Sequence, residues 1–88
     1  MNLCQVIDLL VRENPKADAS SVRIYADAFC TYAEATENIA TNGAIVIHPR
    51  TGSPIENPYL KIRTQAQGVL RKASRLKTSE VWALIAPM

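Results

Sequence analysis

The side chains of this sequence that are able to do chemistry are few and scattered. His48 is the only histidine, and Cys4 and Cys30 are the only cysteines. One imidazole with no second base assembles no Ser/His/Asp or Cys/His arrangement. One histidine and two distant cysteines make no metal-ligand spacing, and neither G-x-x-x-x-G-K-[ST] nor G-x-G-x-x-G occurs. The expectation is a protein that is not an enzyme and that takes no metal and no cofactor. Cys4 and Cys30 each sit in an apolar periodic segment, which predicts two free, buried thiols in a reducing compartment.

Binding is what remains, and charge says where. Residues 1–40 carry Arg12, Lys16 and Arg23 against six carboxylates, a balance of −3; residues 41–88 carry seven cations against two carboxylates, a balance of +5. Between Asn57 and Lys77 there is no acidic residue. Such polarity favours head-to-tail contacts between copies or an anionic partner for the second half. Arg50, at a loop tip, suits a phosphate or a neighbour's carboxylate. Lys61, Lys72 and Arg75 share a basic flank of the third helix that suits a nucleic-acid backbone, and Arg63 stands with Lys61 at that helix's start. Equally, that flank suits the acidic flank formed by Asp27, Glu34 and Glu37, in the same chain or the next.

The elements that must carry these groups follow from periodicity and punctuation. Leu3, Val6, Ile7, Leu10 and Val11 form one stripe of a helix over residues 1–14, capped by Asn2 and ended by Asn14-Pro15. A second helix runs over 18–41, with Asp18, Ser20 or Ser21 as N-cap. Asn42-Gly43 stops it. "AIVIH", a turn rich in Pro and Gly, and a short return segment predict a hairpin over 43–56, an irregular loop being the alternative. Asn57-Pro58 then opens a basic helix over 57–77, and "SEVWALIA" a short helix over 79–86 with Val81, Trp82 and Ile85 as its buried face. The fold class expected is mainly α: three to four helices with a β-hairpin between the second and third, assembling through helix packing.

Two seams are candidates for that assembly. Tyr25, Phe29 and Tyr32 on the second helix, and Ile62, Ala66, Val69 and Ala73 on the third, recur at spacings of three and four. Ala26, Ala28, Ala33 and Ala35 keep the second helix slim enough for close approach. With 88 residues the chain is one small domain with a small core, so contact with further copies is an economical way to bury more surface. Gln5 and Asp8 interrupt the N-terminal apolar residues, and no apolar run approaches the roughly 20 residues of a membrane span. A soluble, cytoplasmic protein is expected.

The stretch "NGAIVIHPRTGSPIENPYLKIRTQAQGVLRKASRL", together with Tyr25 upstream, resembles the small terminase subunits of tailed bacteriophages and prophages. The likeness spans about Asp18 to Leu76, and its specific portion runs through Gly52, Pro54, Asn57 and Pro58. Where that family continues with a Gly-Leu-Thr-Pro segment, this chain has "LKTSEVWALIAPM". The resemblance implies a non-catalytic subunit, in the cytoplasm of a host bacterium, that forms a ring-like homo-oligomer. Its implied partners are viral double-stranded DNA and a large subunit carrying the ATPase and nuclease. Two other readings stand beside it. One is a dimeric prophage regulator, with "LVRENPKADASSVRIYADAF" as a helix pair; its turn is long and its second helix acidic, which is wrong for a major groove. The other is an interaction module with no role on DNA.

Overall fold

The computed structural model describes residues 2–73 and 75–85. Four helices and one hairpin follow in the order α1 (Leu3–Glu13), α2 (Ala19–Asn42), β1 (Ile45–Ile47), β2 (Pro54–Glu56), α3 (Tyr59–Lys72) and α4 (Ser79–Ala83). The fold is mainly helical, with an antiparallel two-stranded hairpin between α2 and α3.

The first two helices begin where a side chain can take up orphan backbone donors. Asn2 Oδ1 accepts from the Gln5 amide at 2.8 Å, and Asp18 Oδ1 accepts from the Ser21 amide at 2.7 Å. The Ser21 amide, then the Ser20 and Ser21 hydroxyls, hold the Asp18 carboxyl below the usual carboxylate range. Folding thus lowers this pKa, so the unfolded chain takes up a proton first as pH falls. The contribution of Asp18 is full above the ordinary carboxylate range and is lost as pH falls through the folded value. Asp18→Asn keeps the cap and removes this titration. Thermal midpoints across acid pH are expected to fall less steeply for Asp18→Asn than for the parent chain, and parallel curves would refute the stability assigned to the lowered Asp18 pKa.

The core gathers where α1, the first half of α2 and α4 meet. Val6 and Leu10 from α1, Val22, Tyr25, Ala26, Phe29 and Ala33 from α2, and Val81 and Ile85 form one buried cluster. Trp82 closes it: its indole stands edge-on to Phe29 (5.0 Å, 85°) and Tyr32 (5.5 Å, 69°), and Nε1 donates to Tyr25 Oη at 3.0 Å. Val11, expected in the α1 stripe, is exposed instead. It lies about 100° round the helix from Leu10, at the stripe's margin.

The start of α4 is capped from another helix. Thr78 makes no side-chain cap, whereas Glu13 Oε1 accepts from the Glu80 amide at 2.7 Å and Glu13 Oε2 from the Ser79 hydroxyl at 2.8 Å. Beside it, Asn14 copies a strand neighbour: its Nδ2 donates to the Lys77 carbonyl (2.8 Å) and its Oδ1 accepts from the Lys77 amide (2.7 Å). The end of α1 thereby fixes the chain entering α4.

α3 is shorter than its pattern. The helix stops at Lys72, with Ala73 at φ −94° and ψ 45°, so Arg75, Leu76 and Lys77 follow in a turn and coil that lead to α4. This bend lets Ala73 and Leu76 pack against the core cluster rather than continue a straight seam. The part of the predicted last helix beyond Ile85 lies outside the described residues.

Candidate nucleic-acid interface

α2 and α3 lie antiparallel, and their relative placement is set at the hairpin. Gly43, at φ 85°, turns the chain out of α2 while its amide donates to the Ile39 carbonyl. Asn57 then ties three segments together at 2% exposure. Its Nδ2 donates to Asn38 Oδ1 (3.0 Å) and the Gly43 carbonyl (2.9 Å), its amide donates to the Ala44 carbonyl (2.7 Å), and its Oδ1 accepts from the Tyr59 amide (3.0 Å). Asn57 therefore caps α3, with Pro58 already helical at φ −57°, and anchors it to the end of α2.

At the hairpin tip, His48 Nδ1 accepts from the amides of Arg50 (3.1 Å) and Thr51 (3.4 Å), which holds the turn in shape. This is the work of the lone histidine. Gly52 supplies the positive φ of 69° that the turn requires. One face of the hairpin, with Ile45 and Ile47 at 62% and 63% exposure, is open to solvent.

The candidate DNA residues do not form one patch. Arg50 is on the hairpin tip, Lys61 and Arg63 are on the first turns of α3, Lys72 is at its far end and Arg75 lies in the turn beyond it. Only the last two come together, in a cleft of about 700 Å³ that also receives Lys16 from the α1–α2 turn and Lys77. Sequence reading missed Lys77, two residues beyond Arg75, and Lys16, because charge along a chain carries no information on which distant turns meet. Among the described residues the ion pair within 4 Å is Arg23–Asp27, one turn apart on α2 and exposed, so the basic flank of α3 is not paired with the acids of α2.

The candidate assembly residues divide too. Tyr25 and Phe29, at 3% and 0% exposure, belong to the chain's own core, and Tyr32 is half-buried beneath Trp82. Their spacing describes a core face, which leaves Tyr25 and Phe29 no surface to offer a second copy. Ile62, Ala66 and Val69 do share a groove, of about 340 Å³, with Ile24, Asp27, Ala28 and Thr31 of α2; Ala73 lies instead in the basic cleft. Ala66 is buried there against α2, while Ile24 (58%) and Val69 (38%) remain exposed. Ile24 had escaped notice because it stands outside the heptad spacing.

Cys4 is exposed, against the expectation of two buried thiols. Cys30 is half-buried, and burial, then Asp27, pushes its thiol above the usual range, so thiolate chemistry is disfavoured there. Among the described residues no group of three or more His, Cys, Asp or Glu is placed to hold a metal ion, and no helix is long and apolar enough to cross a membrane.

A family model described as phage terminase, small subunit, matches residues 4–76. The chain belongs to the phage terminase small-subunit family. The match takes in α1, α2, the hairpin and α3, hence the Asn57 anchor, the interhelical groove and most of the basic cleft. Membership in the terminase small-subunit family supports a role in phage DNA packaging, in which the small subunit is generally the non-catalytic partner. No curated protein and no solved structure matches the chain.

Proposed function

We propose that this chain is a non-catalytic terminase small subunit that assembles into a ring of copies, recognises viral double-stranded DNA, and recruits and regulates the large terminase subunit. The observation that carries the reading is the family match across residues 4–76. Its setting is the cytoplasm of the host bacterium.

The shape of the chain supports assembly. Its radius of gyration is 15.0 Å and its extents are 51 × 23 × 18 Å, against about 12 Å for a compact domain of this length. An elongated small domain leaves much apolar surface uncovered. The α2–α3 groove is such a surface, and a second copy is its occupant in this reading. Covering the two exposed side chains at its rim, Ile24 and Val69, contributes roughly 1–2 kcal/mol each. A contact between unlike surfaces repeats from copy to copy and closes into a ring when the rotation allows.

Light scattering behind a sizing column, at two protein concentrations, tests this. The expected result is a closed oligomer larger than a dimer whose mass does not change with concentration. Ile24→Asp with Val69→Asp is expected to lower that mass to monomer or dimer while leaving helix content and thermal midpoint of the isolated chain within a few degrees, because both side chains already meet water. A double variant of unchanged mass would move the interface elsewhere, and a parent chain that is monomeric would count against ring assembly itself.

A further inference from the structure

Two segments distant in sequence bring four cations to one concave surface: Lys16 from the α1–α2 turn, and Lys72, Arg75 and Lys77 from the end of α3 and the chain leading to α4. Two carboxylates share the cleft, and both are otherwise engaged. Glu13 gives one oxygen to the Glu80 amide and the other to the Ser79 hydroxyl. Asp18 gives its oxygens to the Ser21 amide and to the hydroxyls of Ser20 and Ser21. Among the described residues, none of the four cations has a carboxylate within 4 Å.

Nor is the chain carrying them loosely attached. The two hydrogen bonds from Asn14 hold the backbone of Lys77 at the end of α1, and Ala73 and Leu76 pack against the core on either side of Arg75. The cations are therefore offered from a fixed concave frame, which lowers the ordering cost of binding. Hairpin geometry differs: Arg50 stands on a tip, and the exposed Glu56 is on the adjoining strand.

We infer that this cleft, and not the hairpin tip, is where the chain grips the phosphate backbone of DNA. The inference rests on the DNA-binding reading above and adds to it the surface and the contact residues. Concavity suits a ridge of successive phosphates, and Arg75 can engage two oxygens of one phosphate at once.

The test is binding of a fluorescent duplex of about 30 base pairs, by anisotropy, across a salt series. The parent chain is compared with the fourfold variant Lys16→Ala, Lys72→Ala, Arg75→Ala, Lys77→Ala and with Arg50→Ala. All five side chains are exposed, and circular dichroism with thermal melting checks that each variant folds. Removing one cation from a phosphate lowers the slope of log affinity against log salt by about 0.9. The expected result is at least a tenfold loss of affinity and a slope reduced by about 2 or more for the fourfold variant, with a smaller change for Arg50→Ala. Tight binding by the parent chain together with an unchanged slope in the fourfold variant, or the reverse ranking, overturns the location alone. A parent chain that binds no duplex even at low salt overturns the DNA reading, and this assignment with it. Equal displacement by polyglutamate of matched charge overturns the choice of phosphate as the ligand.

Discussion

Truncating Phe29 to alanine is expected to cost about 3–5 kcal/mol, the range for removing a fully buried phenylalanine ring. The ring is 0% exposed, touches the indole of Trp82 edge-on at 5.0 Å, and belongs to a cluster drawn from α1, α2 and α4. Its loss leaves a void that three separate helices line, and they cannot all collapse into it together. A chain of 88 residues has a small total stability, of the order of 5–10 kcal/mol. Phe29→Ala therefore removes a large share of it, and urea denaturation followed by circular dichroism measures the loss directly. Phe29→Leu is expected to cost distinctly less, because it refills most of the volume. A loss under about 1 kcal/mol for Phe29→Ala, well below that range, would mean that the core is centred elsewhere.

The second large effect is expected from a change that adds almost no volume. Asn57→Asp keeps the oxygen that accepts from the Tyr59 amide but replaces Nδ2 with an oxygen that faces two acceptors, Asn38 Oδ1 and the Gly43 carbonyl. Both Nδ2 hydrogen bonds disappear and a buried charge meets two partial negative charges, at a site 2% exposed. The cost is roughly 2–4 kcal/mol, or on the order of 10–25 °C in thermal midpoint for a chain this size. Burial among acceptors favours the protonated acid, whose hydroxyl donates again. The folded pKa of the introduced carboxyl then lies above its unfolded value, so the deficit shrinks as pH falls through that folded value. Asn57→Ala loses the cap as well, yet introduces no charge, and its deficit stays flat with pH. Equal midpoints for Asn57→Asp and the parent at neutral pH would show that this anchor does not hold α3 to α2.

These two residues also mark what could be read in advance. Phe29 was visible as part of a stripe, but its spacing was equally good for a core and for an interface between copies. Periodicity reports that a face is apolar and is silent on which surface covers it. Here Trp82, 53 positions further on, does the covering from within the chain. Asn57 was legible as a helix cap because Asn-Pro has local chemistry. Its bonds to Asn38 and Gly43 were not, because they depend on how α2 ends in space. Arg75 was placed in α3 by a pattern that continues past the point where packing on the core bends the chain.

Local chemistry is thus what the amino-acid sequence determined by itself. The helix order, the caps at Asn2 and Asp18, the glycine turn at Gly43, the hairpin and the Asn57 start of α3 all depend on backbone preferences spanning a few residues. The resemblance that led to the terminase small-subunit family lies in the same stretch. The tertiary structure alone decided which apolar stripe is core and which is groove, and which of the scattered cations share a cleft. Those outcomes turn on contacts between segments far apart in the chain, such as Glu13 with Ser79 and Asn14 with Lys77. The energy of such a contact depends on distance in space, and residue type and spacing leave that distance open.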